Sequence, residues 1–373
     1  MSSSMSLRTS AREVADRPLS VHPTLLQMQP KAKPTGLAIS VAMATFNGER
    51  FIREQLDSIA VQSLLPSELV VTDDSSSPHT LDIVRRFEPQ LPFPVRIHKN
   101  ESRLGYRKNF FKAFSLCTGD LIAPCDQDDV WMPNKLERLS SVFTDDDVLL
   151  AIHKVTPVDG SLQPIPGVSK KHWYHEGTYE PLTADPAYMA YGMSLMIRRD
   201  ILTWIDPAEA SSLGDAFGHD LWLWFVATSL GKIVGLSEEL ALYRQHAANV
   251  FGAVKSTSQK EQATVSRRTG ATHYTSSELM SLELARKLTQ IRPDAPDNIR
   301  RRAQEASGFF RKRALFYRLR ADLYGDADRR QRVGTAIQLL RSGGYRPIRR
   351  QGLGRKALLK DVAISLIKNE QIH

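Results

Sequence analysis

Between residues 37 and 131 the apolar pattern switches repeatedly between two periods, and this alternation limits the possible folds more than any other feature of the chain. Residues 37–46 form an apolar run in which Ile39, Val41 and Met43 alternate, the pattern of a buried strand. Asn47-Gly48 supplies a turn, and Phe51, Ile52, Gln55, Leu56 and Ile59 then recur at helical spacing, with Pro66 beyond their end. Residues 68–72 predict a second strand running into Asp73-Asp74-Ser75-Ser76-Ser77-Pro78, a loop whose Ser and Pro suit a helix start. A helix carrying Leu81, Val84 and Phe87, a strand at 95–98, a helix carrying Phe110, Phe111 and Phe114, and a strand at 121–124 complete a β-α-β-α-β-α-β series. Such a series implies a largely parallel sheet covered by helices, whose loops at the strand C-termini gather on one edge as a ligand crevice. Both acidic clusters, Asp73-Asp74 and Asp126-Gln127-Asp128-Asp129, fall on that edge.

The second half carries more scattered strand signals at 149–154, 192–197, 232–236 and 239–243, around an apolar helix at 221–230, so the sheet is expected to become mixed. Residues 157–188 are expected to form a loop-rich acceptor wall. Further on, Ile299, Ala303, Ala306, Phe310, Ala314, Tyr317, Ala321 and Tyr324 step by three and four, drawing one apolar stripe between Arg-rich faces. Gly343-Gly344-Tyr345-Arg346-Pro347 ends this pattern, and a short helix at about 358–368 closes the chain. A length of 373 residues exceeds what one core commonly organises. The expected division is a disordered, Ser- and Pro-rich leader at 1–35, or residues ahead of the true start; an α/β domain at 36–255; and a basic helical extension at 256–373.

The formal charge of +9 is concentrated in the tail: from Lys260 onward roughly 25 Lys and Arg face roughly 11 Asp and Glu. The longest apolar stretch, 221–236, is interrupted by Gly231 and Lys232 and is shorter than the roughly 20 residues that cross a bilayer, so no transmembrane helix is expected. Cys117 and Cys125 form no CxxC pair, which argues against a disulfide framework and suits a reducing cytoplasm.

A single Asp at a strand end is commonly a turn former. The Asp126 to Asp129 run differs, because it follows the apolar strand at 121–124 and precedes Val130-Trp131, which puts several carboxylates at the lip of a core. Clustered carboxylates repel one another unless a cation compensates, and hard oxygen ligands suit Mg²⁺ or Mn²⁺ bridging to a diphosphate. Residues 39–48, then Leu69-Val70-Val71-Thr72-Asp73-Asp74-Ser75-Ser76, then Gly119-Asp120 through Val130-Trp131, resemble the successive signatures of family 2 glycosyltransferases. That family has the GT-A fold, a mostly parallel, partly mixed sheet flanked by helices. The resemblance covers about residues 36–250, and the Asp-Gln-Asp-Asp-Val-Trp form is similar to bacterial rhamnosyltransferase-like members.

The resemblance implies that Thr45, Phe46, Asn47, Glu49, Asp73 and Asp74 contact the nucleotide, with Ser75 standing where the family usually has Gly. It also implies that Asp126 and Asp128 form the metal and diphosphate motif, Asp128 as the direct metal ligand and Asp129 as a neighbour. Asp220, after His219, matches the position of the family's base; a helix cap is the alternative. Tyr243-Arg244-Gln245-His246 resembles a motif near the end of the catalytic domain, placing Arg244 on the diphosphate and His246 at the metal or acceptor, or in a structural hydrogen bond. Arg107 and Lys108 open a helix whose unpaired N–H groups favour an anion; a solvated basic face is the alternative.

The expected activity is therefore inverting transfer of a sugar, rhamnose in the resembling subgroup, from a nucleotide-diphosphate donor to a glycan or lipid-linked acceptor in cell-surface polysaccharide synthesis. The basic amphipathic tail suggests peripheral contact with the inner face of the plasma membrane; packing of its stripe on the catalytic domain is the alternative. A nucleotidyltransferase and a non-catalytic sugar-nucleotide-binding protein share the same metal logic. A dinucleotide-dependent oxidoreductase needs a GxGxxG turn where Thr45-Phe46-Asn47-Gly48-Glu49-Arg50 stands. No nucleic-acid motif accompanies the basic tail, so no nucleic-acid partner is expected.

Overall fold

The computed structural model describes residues 36–165, 174–184, 191–208, 217–246, 249, 270–325, 327–347 and 352–366. The leader at 1–35, the boundary at 255/256 and parts of the 157–188 wall lie outside the described residues.

The first half follows the alternation in order: β1 (Ile39–Thr45), α1 (Ile52–Ala60), β2 (Glu68–Asp73), α2 (His79–Phe87), β3 (Val95–Lys99), α3 (Tyr106–Leu116) and β4 (Leu121–Asp126). A two-residue β5 (Val130–Trp131) and a short α4 (Lys135–Ser140) lead to β6 (Val148–Val158), β7 (Gly177–Tyr179), β8 (Leu195–Arg198), α5 (Ile201–Trp204), α6 (His219–Leu230) and β9 (Lys232–Arg244). The strands form one sheet in the order β3-β2-β1-β4-β8-β6-β9-β5, with β7 on β9. The block β3-β2-β1-β4 is parallel, β8 runs antiparallel to both β4 and β6, and β9 runs parallel to β6. This is the expected mostly parallel, partly mixed GT-A sheet.

Alternation along β1 assigns its two faces. Ile39, Val41 and Met43 pack with Ile52, Leu56, Ile59, Leu81, Val84 and Phe87, whereas Ala42 joins Phe110, Phe114, Trp222 and Phe225 on the opposite side. Burial on both faces explains why the central strands read as continuous apolar runs. The strands end in step: Thr45 pairs with Asp73, Asp73 with Lys99, and Ala44 with Asp126. The two acidic clusters therefore emerge side by side. At the opposite edge, Glu68 gathers the strand starts by accepting from Ser40 Oγ (2.6 Å), Thr118 N (2.6 Å) and Arg96 Nη1 (2.8 Å).

Three expectations change. The two strands at 232–236 and 239–243 are one continuous β9. The tail adds α7 (Gly270–Leu288) before α8 (Asp297–Tyr324), then α9 (Arg329–Arg341), which was not anticipated, and α10 (Arg355–Leu366). The third change concerns the apolar stripe of α8. Ile299, Ala303, Ala306 and Phe310 are buried in the core that contains Trp222 and Phe225, and the Phe225 and Phe310 rings meet edge to face at 5.4 Å. Arg302 locks this seam with two bonds to the Asp147 carboxylate, 2.8 and 2.7 Å. The α8 stripe is thus core, and lipid contact through it is corrected: its apolar area is already covered by α7 and α6. Among the described residues no helix is long and apolar enough to cross a membrane. Cys117 and Cys125 are both free and buried.

Candidate active site

At the end of β1, Thr45 Oγ1 and Ser75 Oγ both donate to Asp73 Oδ1 at 2.7 Å, leaving the buried Asp73 Oδ2 without a hydrogen-bond partner. Asn47 adopts a left-handed φ of 50°, and its N–H donates to Ser75 Oγ at 2.7 Å. Ser75, standing where glycine is usual, is therefore used to pin the loop. Gly48 N donates to Thr80 Oγ1 (2.9 Å), which in turn donates to Glu49 Oε2 (3.2 Å). Phe46 is partly exposed and lies under the Arg103 guanidinium at 4.1 Å, a cation–π contact beside the Asp73 pocket. Sequence reasoning missed Arg103, because nothing in the 101–105 loop indicates where it folds.

Asp74 is committed to the chain itself. Its Oδ1 accepts from Asn100 Nδ2 (2.6 Å) and Leu104 N (3.1 Å), and its Oδ2 from Gly105 N (2.8 Å). Gly105 has φ of 81°, so a residue with a side chain would be strained at this turn into α3. Asn109 then ties α3 to the strand ends, donating to Thr45 O (3.2 Å) and Thr72 O (3.1 Å). The expected nucleotide contact of Asp74 is corrected to a positioning part, since both oxygens hold the 100–105 loop.

The acidic motif divides its labour. Gln127 clamps the first loop, accepting from Phe46 N and donating to Phe46 O, both at 2.9 Å. A Cβ at Gly48 would overlap the Gln127 amide, so only glycine permits this approach. Asp129 is fully buried and accepts from Arg244 N at 3.0 Å. Asp128 Oδ2 lies 2.8 Å from His246 Nε2, and the His246 ring packs on Phe51 at 4.9 Å. Burial, then the neighbouring charges of Asp128 and Asp220, raise the Asp126 carboxyl well above its ordinary value. Beneath the motif sits Lys135, fully buried, its ammonium 3.5 Å over the Trp131 ring and donating to Met193 O at 2.6 Å. Burial drops Lys135 to about 7 against the pull of Cys125, Asp129 and Asp126. Lysine is an unusual core residue, so its place under the carboxylates had no signal in the sequence.

Arg244 is corrected. Its guanidinium is buried, donates to Asp128 O (2.7 Å), Gly160 O (2.7 Å) and the Glu54 carboxylate, and lies 4.4 Å over Phe51. Those partners fix β9 to the acidic loop and to α1 rather than offering a cation to a diphosphate. The expected three-residue metal set is likewise not gathered. Among the described residues no three His, Cys, Asp or Glu are arranged to hold a metal ion. The Asp128–His246 pair still fits Mg²⁺ or Mn²⁺, since such ions take one or two protein ligands and complete their shell with water and substrate phosphate oxygens.

Across the crevice, Gly218 occupies the N-cap of α6 and Asp220 lies in the first turn. Asp220 is therefore not the cap, although its Oδ1 accepts from Leu221 N at 2.8 Å. Burial lifts the Asp220 carboxyl to about 6, against hydrogen bonds from the backbone N–H groups of Leu221 and Asp220. His219 is packing: it stacks on Phe110 at 3.9 Å, neither ring nitrogen has a hydrogen-bond partner, and burial drops it to about 3. Arg107 Nη1 donates to Phe217 O at 3.2 Å and so steadies the start of α6, while Lys108 is exposed. Asp126 feels the charges of both Asp128 and Asp220, so these carboxylates of β4, its following loop and α6 lie within electrostatic reach of one another.

Comparison with known proteins decides the family of this domain. Residues 40–203 match the family described as "Glycosyl transferase family 2". The segment 40–203 belongs to glycosyltransferase family 2. An uncharacterised glycosyltransferase of Nostoc sp. is 28% identical over 231 residues, 60% of this chain and 70% of the relative. A dTDP-rhamnosyl transferase of Shigella flexneri is 36% identical over 100 residues, 26% of this chain and 35% of the relative. The chain thus spans only about a third of that second relative. A crystal structure of S. aureus TarS 1-349 in complex with UDP is similar at a TM-score of 0.49, with 17% identity over 88% of each chain.

Proposed function

We propose that this family 2 domain moves a sugar from a nucleotide-diphosphate donor to an acceptor hydroxyl with inversion at the anomeric carbon. The observation that carries the reading is the electrostatic proximity of Asp126 to both Asp128 and Asp220, with burial lifting Asp220 to about 6. In the proposed step Asp220 takes the acceptor proton as the acceptor oxygen bonds to the anomeric carbon. The bond from that carbon to the β-phosphate oxygen breaks, and its electron pair leaves with the nucleoside diphosphate. With Asp128 and Asp126 assigned to the metal and diphosphate, Asp220 acts alone as base and one direct displacement, hence inversion, is the proposed route.

Thr45, Phe46, Asn47 and Glu49 line the proposed nucleoside pocket together with Asp73, whose unpartnered Oδ2 suits a ribose hydroxyl donor. Lys108 is an exposed cation suited to a phosphate, while Arg107 holds the α6 start. Asp128 and His246 would hold Mg²⁺ or Mn²⁺, with Asp126 beside them. Such an ion neutralises the diphosphate and its developing charge. Similarity to the Shigella dTDP-rhamnosyl transferase makes dTDP-rhamnose the first donor to test. A glycan or lipid-linked glycan of the cell surface is the proposed acceptor class, and free buried cysteines suit a cytoplasmic location.

The test is a thermal-shift panel of nucleotide sugars with Mg²⁺ or Mn²⁺ on wild type and on Asp128→Ala. Wild type is expected to be stabilised only when donor and metal are both present, by about 2–4 kcal/mol at a hundred to a thousand times Kd. Asp128→Ala loses that shift. Metal-dependent stabilisation of equal size in Asp128→Ala contradicts the ligand assignment.

A further inference from the structure

Exposed apolar residues of the tail occur on α7 (Leu279, Leu282), singly on α8 (Leu315) and, most densely, on the two helices after it. On α9, Val333 is 37%, Ile337 44% and Leu340 59% exposed, at the i, i+4, i+7 spacing of a single stripe. Helical periodicity puts Arg330 and Arg341 along one flank of that stripe and Arg329 along the other, and all three are exposed. The inner side of α9 is already docked, with Leu339 in a cluster with Phe316, Leu319, Tyr345 and Ala357. On the neighbouring α10, Ala357 belongs to the same cluster, while Leu359 (72%) and Val362 (45%) are exposed on a face that also carries exposed Arg355, with exposed Lys356 beside Leu359.

Singly exposed leucines need no explanation, but an apolar stripe with arginines on both flanks does. The local charge points to its occupant. From Arg329 to the end the sequence carries eleven Lys and Arg against two acidic residues, Asp361 and Glu370. Asp361 offers no surface charge, since it is buried and accepts from Arg320 (2.8 and 3.1 Å) and from Tyr324 (3.0 Å). That network also anchors α10 to α8, so the face is presented by a fixed scaffold. A second copy of this chain would bring the same arginines against each other, whereas an anionic lipid surface takes both the apolar stripe and its basic flanks.

We propose that the outward faces of α9 and α10 dock on an anionic membrane, with Val333, Ile337, Leu340 and Leu359 entering the interface and the flanking Arg and Lys on lipid phosphates. This surface stands independently of the transfer reaction. The test is flotation of the full chain on vesicles of phosphatidylcholine alone and of phosphatidylcholine with phosphatidylglycerol. Wild type is expected to float with the anionic vesicles, weakly with the neutral ones, and less as salt rises. Ile337→Glu with Leu340→Glu, and separately Arg329→Gln with Arg330→Gln and Arg341→Gln, should each reduce bound protein by about tenfold or more. Because every substituted residue is exposed, the variants should retain wild-type thermal stability. Flotation of the variants equal to wild type, or absence of wild-type flotation on anionic vesicles, overturns the proposal. So does a wild-type dimer in solution that the Ile337→Glu, Leu340→Glu variant dissolves while flotation is unchanged, because a second copy then covers the face.

Discussion

Replacing Asp220 with Asn is expected to lower kcat by about a hundred- to ten-thousand-fold, the range a positioned general base supplies, with little change in donor affinity. The substitution keeps the size of the side chain and an acceptor for the Leu221 N–H, so α6 still starts at the same place. The pH profile gives the sharper reading. Burial raises Asp220 to about 6, and the base works only when deprotonated. Wild-type kcat/KM should therefore climb with pH up to about 6 and level off above it. Asp220→Asn should lose that limb along with its rate. A variant that keeps wild-type kcat would leave Asp220 a helix-start residue only.

Arg244→Met is expected to destabilise the fold by about 3 kcal/mol, chiefly because it strips donors from two carbonyls, while the lost ion-pair partner, Glu54, is half-exposed and can be solvated. Those carbonyls are Asp128 O and Gly160 O, and the third partner is Glu54 on α1. Arg244→Lys should recover little of the loss, since one ammonium cannot reproduce a fork with three separated partners. Urea unfolding of the three proteins measures this. Unchanged stability together with a raised KM for the donor would instead return Arg244 to the diphosphate.

The contrast over Arg244 marks what a sequence can and cannot disclose. Strands β1, β2 and β4 were legible because burial on both faces makes their residues continuously apolar, and the ends of β2 and β4 stood out because carboxylates lie there. The strand β9 was read as two, at 232–236 and 239–243, since Ser237, Glu238 and Glu239 interrupt its apolar residues and the second strand was started at Glu239. In the fold the two glutamates have lateral partners, Glu238 with Arg138 and Glu239 with Thr156, so the strand passes through unbroken. Helix α7 gave no pattern because its first turns are Thr and Ser. Their hydroxyls bond back to carbonyls one turn earlier, as Thr275 does to Ala271 and Ser276 to Thr272, a feature that weakens propensity but is tolerated where the helix packs on α8.

The site was legible only in part, for a related reason. Asp128 and His246 are 118 residues apart, and periodicity carries no information on such a pairing; the resemblance alone brought both to attention. Asp74 and Arg244 were read as ligand contacts because a charge in a motif looks available. Whether it is free depends on backbone N–H and C=O groups brought up from distant loops, namely Leu104, Gly105 and Gly160. The tail shows the same limit in reverse. An amphipathic stripe announces that something covers it, and the covering of α8 by α7 and α6 is a tertiary fact.

Product analysis tests the central claim most directly. The full chain is incubated with Mg²⁺ or Mn²⁺, dTDP-rhamnose or another nucleotide-diphosphate sugar, and a glycan or lipid-linked acceptor, and the released nucleotide is separated chromatographically. Sugar transfer predicts release of nucleoside diphosphate that depends on metal and acceptor and is lost in Asp220→Asn. Release of pyrophosphate, or binding of the donor with no turnover across the donor and acceptor panel, would contradict it.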